Sequence, residues 1–205
     1  MYNYSTKERQ GIRMFHSKVE RVAMNIHFEK AILAHKDIIF EWLEEPHMKE
    51  FWDNSQEHKD DILNFINGRK QHYFYGTTKY WVGFINLKPF CFLLSDELLA
   101  DQEDLTELHR TYLSKTGRTI SLDFGIGNKT FLGKGLAAPT LMAFTEFYQK
   151  KIDPKANTFF IDPAENNPRA KHVYEKAGFK PIGKAVAEKG GFIGSKSIVM
   201  VKKLK

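Results

Sequence analysis

The stretch Phe131-Leu-Gly-Lys-Gly-Leu-Ala137 decides the fold, because it joins a strand pattern to a helix pattern. In the segment before it, residues 118–126, apolar and polar side chains alternate, as expected for a strand with one buried face. In the segment after it, residues 135–150, large apolar side chains recur at helical spacing. The sequence therefore predicts a strand, a glycine-rich loop and a helix in direct succession.

The glycine-rich loop is a candidate site for a pyrophosphate group. The N-terminus of a helix exposes unpaired N–H groups and a partial positive charge, and both favour phosphate binding. Gly133 and Gly135 have no Cβ, so the backbone can approach a ligand closely, and Lys134 adds positive charge. The glycine spacing matches neither a Walker A loop nor the Gly-x-Gly-x-x-Gly dinucleotide fingerprint. An ordinary glycine-rich turn is the alternative.

A second helix is marked by the residues at its ends. It lies within Asp162-Pro-Ala-Glu-Asn-Asn-Pro-Arg-Ala-Lys-His-Val-Tyr-Glu-Lys-Ala-Gly-Phe179. Asn167 is the expected N-cap, Pro168 suits the first helical position, and Gly178 suits the position just past the end. A buried strand is predicted directly before this stretch, over residues 157–161.

The rest of the chain also mixes strand and helix patterns. Strands are expected over residues 24–28, 80–87, 90–94, 181–186 and 196–201. Helices are expected over residues 33–44 and 56–66. Because the strands cluster along the chain, we expect an α+β fold with a mixed, mostly antiparallel central sheet flanked by helices. We expect an N-terminal extension at 1–23 and a single domain over 24–205, since composition shows no linker-like break.

Composition limits the classes of function. The 205 residues carry a net charge of +6, which suggests an anionic partner without distinguishing a phosphorylated cofactor from nucleic acid. The first residues, 1–15, contain no continuous apolar segment, so we expect a cytoplasmic protein with neither a signal peptide nor a membrane span. The single cysteine, Cys91, is expected to be a packed apolar residue rather than a nucleophile. The histidines are scattered, so no metal site is expected.

Together the two stretches resemble the GNAT superfamily of N-acetyltransferases, whose cofactor loop has the form Gln/Arg-x-x-Gly-x-Gly/Ala. Leu132-Gly-Lys-Gly-Leu-Ala137 is similar to that loop, although Leu132 occupies the Gln/Arg position. The resemblance covers about residues 24–203 and implies an enzyme that uses acetyl-CoA as cosubstrate. It also implies a GNAT-like sheet in which two parallel central strands separate to admit the pantetheine arm. We expect direct transfer in a ternary complex.

Within the superfamily, the sequence is most similar to aminoglycoside 6'-N-acetyltransferases. Besides the loop, the similar residues are Asp162-Pro163, Asn167, Arg169-Ala170, Tyr174-Glu-Lys-Ala-Gly-Phe179, Glu41-Trp-Leu43, His47 and Glu50-Phe-Trp52. Residues 121–127 also resemble the siderophore hydroxylysine acetyltransferases, which usually place His where Asp123 stands. The resemblance implies the 6'-amine of an aminoglycoside as acceptor, an activity associated with antibiotic resistance. N6-hydroxylysine and protein or peptide amines are the alternative acceptors.

The chemistry of amide formation assigns roles to a few residues. Asp123 is the candidate base, because it is the acidic residue of the strand that leads to the loop, and the alternative is a solvated carboxylate. The resemblance assigns Tyr174 as donor to the leaving sulfur, and the alternative is a core tyrosine. A backbone amide near Phe124 or Gly125 would polarise the thioester oxygen, a contribution of roughly 3 kcal/mol.

The expected ligand contacts come from the end of the strand, the loop and the second helix. For acetyl-CoA they are Phe124, Gly125, Ile126, Gly133, Lys134, Gly135, Leu136, Ala137, Asn167, Ala170 and Tyr174. For the amine substrate they are Trp52, Asp123 and Asp162, which together supply an apolar wall and negative charge. The acidic run from Asp96 to Glu107 would also attract a cation, and the alternative is a solvated surface.

A non-catalytic RNA-associated domain that keeps an acyltransferase shell is the alternative from another class. The excess of lysine and arginine favours it, but no interleaved aromatic and basic strand motif accompanies that excess. We therefore expect a small-molecule amine as partner, with no nucleic acid and no membrane, and a monomer or homodimer.

Overall fold

The structure is a computed structural model that describes residues 25–69, 78–103, 105–187 and 193–205. The expected extension at 1–23 lies outside these ranges, as do Gly190 and Gly191, which the sequence predicts in a turn between the last two strands. Within the ranges, no helix has both the length and the apolar character needed to cross a bilayer.

One mixed sheet organises the described residues, and it contains seven strands. The strands are β1 Ile26–Lys30, β2 Lys79–Ile85, β3 Lys88–Leu98, β4 Arg118–Gly125, β5 Ala156–Ile161, β6 Lys180–Val186 and β7 Lys196–Lys203. Their order across the sheet is β1-β2-β3-β4-β5-β7-β6. Every neighbouring pair is antiparallel except β4 and β5. The predicted α+β class with a mostly antiparallel sheet is confirmed.

The parallel pair is short and opens toward the carboxyl ends of its strands. Pairing of β4 with β5 begins at Arg118 and ends at Ser121, which lies opposite Phe160. β4 then continues to Gly125 in register with β3 alone, so its other edge is unpaired by described residues over 122–125. The two strands therefore separate, as the resemblance implies.

Helices cover both faces of the sheet. They are α1 Lys36–Glu44, α2 Pro46–Lys49, α3 Gln56–Ile66, α4 Glu107–Tyr112, α5 Ala137–Phe147 and α6 Pro168–Lys176. On β2, Trp81 packs in the same cluster as Phe144 of α5, whereas Tyr80 and Val82 pack in the cluster that contains Trp42 of α1. Alternate residues of a strand point to opposite faces, so α5 and α1 lie on opposite sides of the sheet.

The helix after the glycine loop begins later than the pattern predicts. Gly133 and Gly135 have φ values of +71° and +70°, which are incompatible with a right-handed helix, and α5 therefore starts at Ala137. Its last turn widens into a π-helix over Tyr148–Ile152. Cys91 lies on β3 and is fully buried. Burial raises the pKa of its thiol, as expected for a packed cysteine.

Candidate active site

A cleft of about 630 Å³ lies where β4 and β5 separate. Its lining comes from five parts of the chain: α2 and the residues after it, the end of β4 with the loop that follows, the segment after β5, the first turns of α6, and the start of β7. A cleft of this volume is within the usual range for small-molecule sites, about 300–1,000 Å³.

Asp123 lines this cleft from β4, where it is paired with Leu94 of β3. Asp123 is exposed to the cleft, and the protein groups around the cleft displace part of the water that would otherwise hydrate its carboxylate. This desolvation, followed by repulsion from Asp162 and Asp96, raises the pKa of Asp123 to about 6. At neutral pH Asp123 is therefore ionised, and it binds a proton more tightly than a surface aspartate does.

Tyr174 lines the same cleft from α6, and its side chain is only 8% exposed. Burial, followed by the negative charges of Asp123 and Asp162, raises the pKa of Tyr174. The phenol thus keeps its proton at neutral pH and can donate a hydrogen bond. Its ring also packs in the core beside Phe179. Tyr174 therefore lies both in the cleft, as a donor to the leaving sulfur requires, and in the core, as the alternative interpretation expects.

Asp162 is a second carboxylate in the cleft, just after β5. Its Oδ2 lies 2.9 Å from Nε2 of His109, on α4. The other nitrogen of that ring, Nδ1, lies 2.8 Å from Oγ1 of Thr106. The second carboxylate oxygen, Oδ1, is buried and has no hydrogen-bond partner among the residues that the structure describes. His109 is an addition that the sequence alone does not suggest.

Asn167 caps α6, as predicted. Its Oδ1 accepts a hydrogen bond from the backbone N–H of Ala170 at 3.0 Å, and Pro168 occupies the first helical position. Both Asn167 and Ala170 line the cleft. The cap uses the oxygen of the Asn167 side chain, so its amide nitrogen remains available to a ligand.

The glycine loop presents a row of unpaired donors. The backbone hydrogen bonds that flank it are donated by Leu132 and Thr140. Between them, no N–H group of residues 133–138 donates to a backbone carbonyl of the described chain. A Cβ at Gly133 or Gly135 would meet no atom within 4 Å, so the space beside the loop is open. Unpaired amides beside open space are what a phosphate-binding loop requires.

The loop residues differ in how they lie relative to the cleft. Leu132 and Ala137 line it, whereas residues 133–135 lie beyond its lining. The side chain of Leu136 is 4% exposed and packs in the core, so only the backbone of this residue can meet a ligand.

One wall of the cleft is formed by α2 and the residues after it. Nε2 of His47 donates to the carbonyl oxygen of Ile126 at 2.8 Å, which fastens α2 to the chain just beyond β4. A Cβ at Gly125 would come within 2.6 Å of Sδ of Met48, so glycine at this position lets α2 pack on the end of β4. Trp52 follows α2 and supplies an aromatic surface to the cleft.

The cleft brings together most of the residues predicted from the sequence. The predicted catalytic and substrate residues that line it are Asp123, Tyr174, Trp52 and Asp162. The predicted cofactor residues that line it, besides Tyr174, are Phe124, Gly125, Ile126, Ala137, Asn167 and Ala170. Polar lining residues that were not predicted as site residues are His47, Glu50, Asn166, Arg169, Ser195, Lys196 and Ser197. Of these, His47, Glu50 and Arg169 belong to the segments that carry the family resemblance.

Residues 31–186 match the protein-family model described as "Acetyltransferase (GNAT) domain". The chain therefore belongs to the GNAT acetyltransferase family. The expectation of an acetyl-CoA-dependent N-acetyltransferase is confirmed at this level.

Solved structures with a similar fold include several N-acetyltransferases. An aminoglycoside N(6')-acetyltransferase from Legionella pneumophila has a TM-score of 0.68 at 22% identity, over 89% of this chain and 94% of its own. AAC(6')-Ib in complex with paromomycin and acetyl-CoA also has a TM-score of 0.68, at 20% identity over 87% of this chain and 93% of its own. A chimera of the spermidine N-acetyltransferase SpeG from Vibrio cholerae has a TM-score of 0.60 at 15% identity, with 87% and 95% covered. At these identities the similarity concerns the fold.

Proposed function

We propose that the protein transfers the acetyl group of acetyl-CoA directly to a primary amine of a small cationic substrate, with the 6'-amine of an aminoglycoside as the best candidate. The observation that carries this proposal is the meeting of Asp123 and Tyr174 in one cleft, at the point where β4 and β5 separate.

The described residues fit acetyl-CoA as the donor. This molecule supplies an acyl thioester at one end of a long amide-containing arm and a pyrophosphate near the other. The unpaired N–H groups of residues 133–138 are suited to the pyrophosphate. The unpaired edge of β4 over residues 122–125 and the free amide nitrogen of Asn167 are suited to the arm.

In this proposal, Asp123 is the base. An amine that enters the cleft is protonated at neutral pH and has no lone pair for attack. The Asp123 carboxylate attracts the ammonium group and then accepts one of its protons, directly or through water. A pKa of about 6 suits this task, because the group is ionised at neutral pH and still has enough affinity to take the proton.

Tyr174 supplies a proton to the other side of the reaction. As the new N–C bond forms, the C–S bond breaks and negative charge develops on sulfur. Because the pKa of Tyr174 is raised, its hydroxyl is protonated and can donate to that sulfur. The attacking nitrogen loses a second proton, which passes through water to restore the Tyr174 hydroxyl, and the proton on Asp123 is released to solvent. A backbone N–H near Phe124 or Gly125 is the proposed donor to the thioester oxygen.

A polycationic acceptor is supported by the charge of the cleft. Its lining contains three carboxylates, Asp123, Asp162 and Glu50, against two cations, Arg169 of α6 and Lys196 of β7. Negative groups spaced along a cleft attract and orient a substrate that carries several ammonium groups. Trp52 offers an apolar face to a sugar ring. The aminoglycoside bound in the AAC(6')-Ib complex and the polyamine in the name of the spermidine enzyme are both polycations of this chemical type.

The test is a thiol-release assay with acetyl-CoA and a panel of amines. The panel holds kanamycin, spermidine, N6-hydroxylysine and a peptide with a free N-terminus. We expect thiol release with kanamycin, and mass spectrometry should place one acetyl group on its 6'-nitrogen. Release with only one of the other amines would assign the enzyme to that acceptor instead.

The Tyr174→Phe variant separates chemistry from binding in the same assay. It removes the hydroxyl but keeps the ring in the core. Turnover should fall roughly 10- to 100-fold, as expected for loss of a hydrogen bond to a charged group, while the Kd of acetyl-CoA changes little. An equal loss of turnover and acetyl-CoA binding would make Tyr174 structural.

A further inference from the structure

His109 lies behind the cleft and has no part in the reaction proposed above. Its side chain is only 12% exposed, and its ring lies against Phe160 of β5 with centroids 5.5 Å apart. Its backbone N–H donates to Oγ1 of Thr106 at 3.4 Å, and Nδ1 of its ring lies 2.8 Å from the same oxygen. The contact of Nε2 with Asp162 completes the set, so both ring nitrogens have defined partners.

The chemistry of these partners defines which atoms carry hydrogen. An ionised carboxylate only accepts hydrogen bonds, so Nε2 of His109 is the donor in its 2.9 Å contact with Asp162. In the neutral ring, Nδ1 then accepts the hydroxyl hydrogen of Thr106. The lone pairs of that hydroxyl oxygen remain free to accept the backbone N–H of His109. The side-chain hydrogen bonds therefore share one direction: Thr106 donates to His109, and His109 donates to Asp162.

The two carboxylate oxygens of Asp162 have different surroundings. Its side chain is 30% exposed and lines the cleft, yet Oδ1 is shielded from solvent and has no partner in the described ranges. With Oδ1 shielded, we take Oδ2 as the oxygen that a ligand in the cleft would contact. A carboxylate oxygen has two lone pairs, so Oδ2 can accept from His109 and from a ligand ammonium group at the same time.

We infer that His109 is a positioning residue that selects diamine over monoamine acceptors. While Asp123 receives the reacting amine, His109 holds Oδ2 of Asp162 toward a second ammonium group of the same molecule. This inference rests on the proposed function, because it takes a cationic amine as the ligand. The carboxylate torsion of aspartate is soft, so without a fixed donor the group would adopt other orientations.

The test compares two variants of His109. His109→Leu removes both ring contacts at similar volume, whereas His109→Gln keeps an N–H that can donate to Asp162. The Kd of kanamycin, measured by calorimetry, should rise about tenfold or more in His109→Leu, in keeping with loss of a well-placed charged hydrogen bond. It should be largely restored in His109→Gln. The Kd of glucosamine, which has one amine, and the KM of acetyl-CoA should not change.

A double-mutant cycle distinguishes positioning from general destabilisation. In the Asp162→Asn background, His109→Leu should add no further loss of kanamycin binding, because both changes act on one contact. An equal loss with and without Asp162, or for both amines, overturns the inference, and melting temperatures show whether the variants remain folded. Kd is measured without turnover, so the two proposals can fail separately. If the variants show the expected changes in Kd but the wild-type protein acetylates no amine, the proposed function is refuted and the role of His109 in binding is not.

Discussion

At the scale of single residues, Asp123 combines two properties that conflict. In the proposed reaction it accepts the proton of the amine, and it is ionised at a position where the surrounding protein removes part of its hydration. Repulsion from Asp162 and Asp96 adds to that cost. The same environment that raises the pKa of Asp123, and so makes it a better base, also makes its charge unfavourable to the fold.

The raised pKa of Asp123 predicts the acid side of the pH profile. Values of kcat/KM for the amine report the free enzyme, so they should rise with pH up to about 6 and then level as Asp123 becomes ionised. Asp123→Asn should lower turnover by about 10²- to 10⁴-fold and abolish this acid limb. A profile of the same shape in the variant would assign the limb to another group.

The same residue predicts a gain in stability when its charge is removed. The pKa of Asp123 is raised from its ordinary value of 3.8 to about 6 in the folded protein, so the folded state binds the proton more tightly. Folding stability therefore declines as pH rises between these two values. Asp123→Asn should therefore raise the melting temperature at about pH 8 and change it little at about pH 4. Asp37→Asn is the control, because its side chain is 98% exposed. A matching rise in the control would contradict this explanation.

At the scale of elements, helix boundaries could be predicted where each has a local chemical cause. α3 has the predicted limits, with Ser55 accepting the N–H of His58 at its start and Gly68 at φ +84° after its end. The helix expected over residues 33–44 ends at Glu44, and Pro46 then starts α2, because proline suits the first helical position. α4 was not predicted, since a helix of six residues is too short to show a clear apolar periodicity.

Two glycines with similar backbone conformations give a matched test of the loop. Gly133 has φ +71° and Gly68 has φ +84°, and a Cβ at either would meet no atom within 4 Å. Alanine at each position should lower the free energy of unfolding by about 1–2 kcal/mol, because a residue with a Cβ is unfavourable in the left-handed backbone conformation. Only Gly133→Ala should also weaken acetyl-CoA binding, since it reorients the amides of residues 133–138. Calorimetric Kd values check this, and equal weakening by Gly68→Ala would contradict it.

At the scale of the whole molecule, the cleft depends on contacts that local patterns do not encode. The strand, loop and capped helix could be predicted because each has its own periodicity or terminal residues. The contact between His109 and Asp162 joins residues 53 positions apart, and no local sequence pattern near either residue predicts it. Likewise, Lys196 reaches the cleft only because β7 lies beside β5 in the sheet. Sheet order, rather than local sequence, brings these groups together.

Ligand-dependent stability of the whole chain tests the class of function. At 100 times its Kd, acetyl-CoA should stabilise the fold by about 2.7 kcal/mol, or roughly 5–10 °C in melting temperature for a chain of this size. RNA should give no comparable shift. Stabilisation by RNA and not by acetyl-CoA would favour the non-catalytic RNA-associated alternative over the proposed reaction.

The early end of pairing between β4 and β5 has a consequence for the choice of acyl donor. Beyond Ser121 the sheet contains an incomplete ladder, which an extended molecule can complete only if it carries its own amides. Acetyl phosphate, a compact donor without amides, leaves that ladder open. We therefore expect the sheet itself to discriminate between activated acetyl compounds, before any side chain in the cleft takes part.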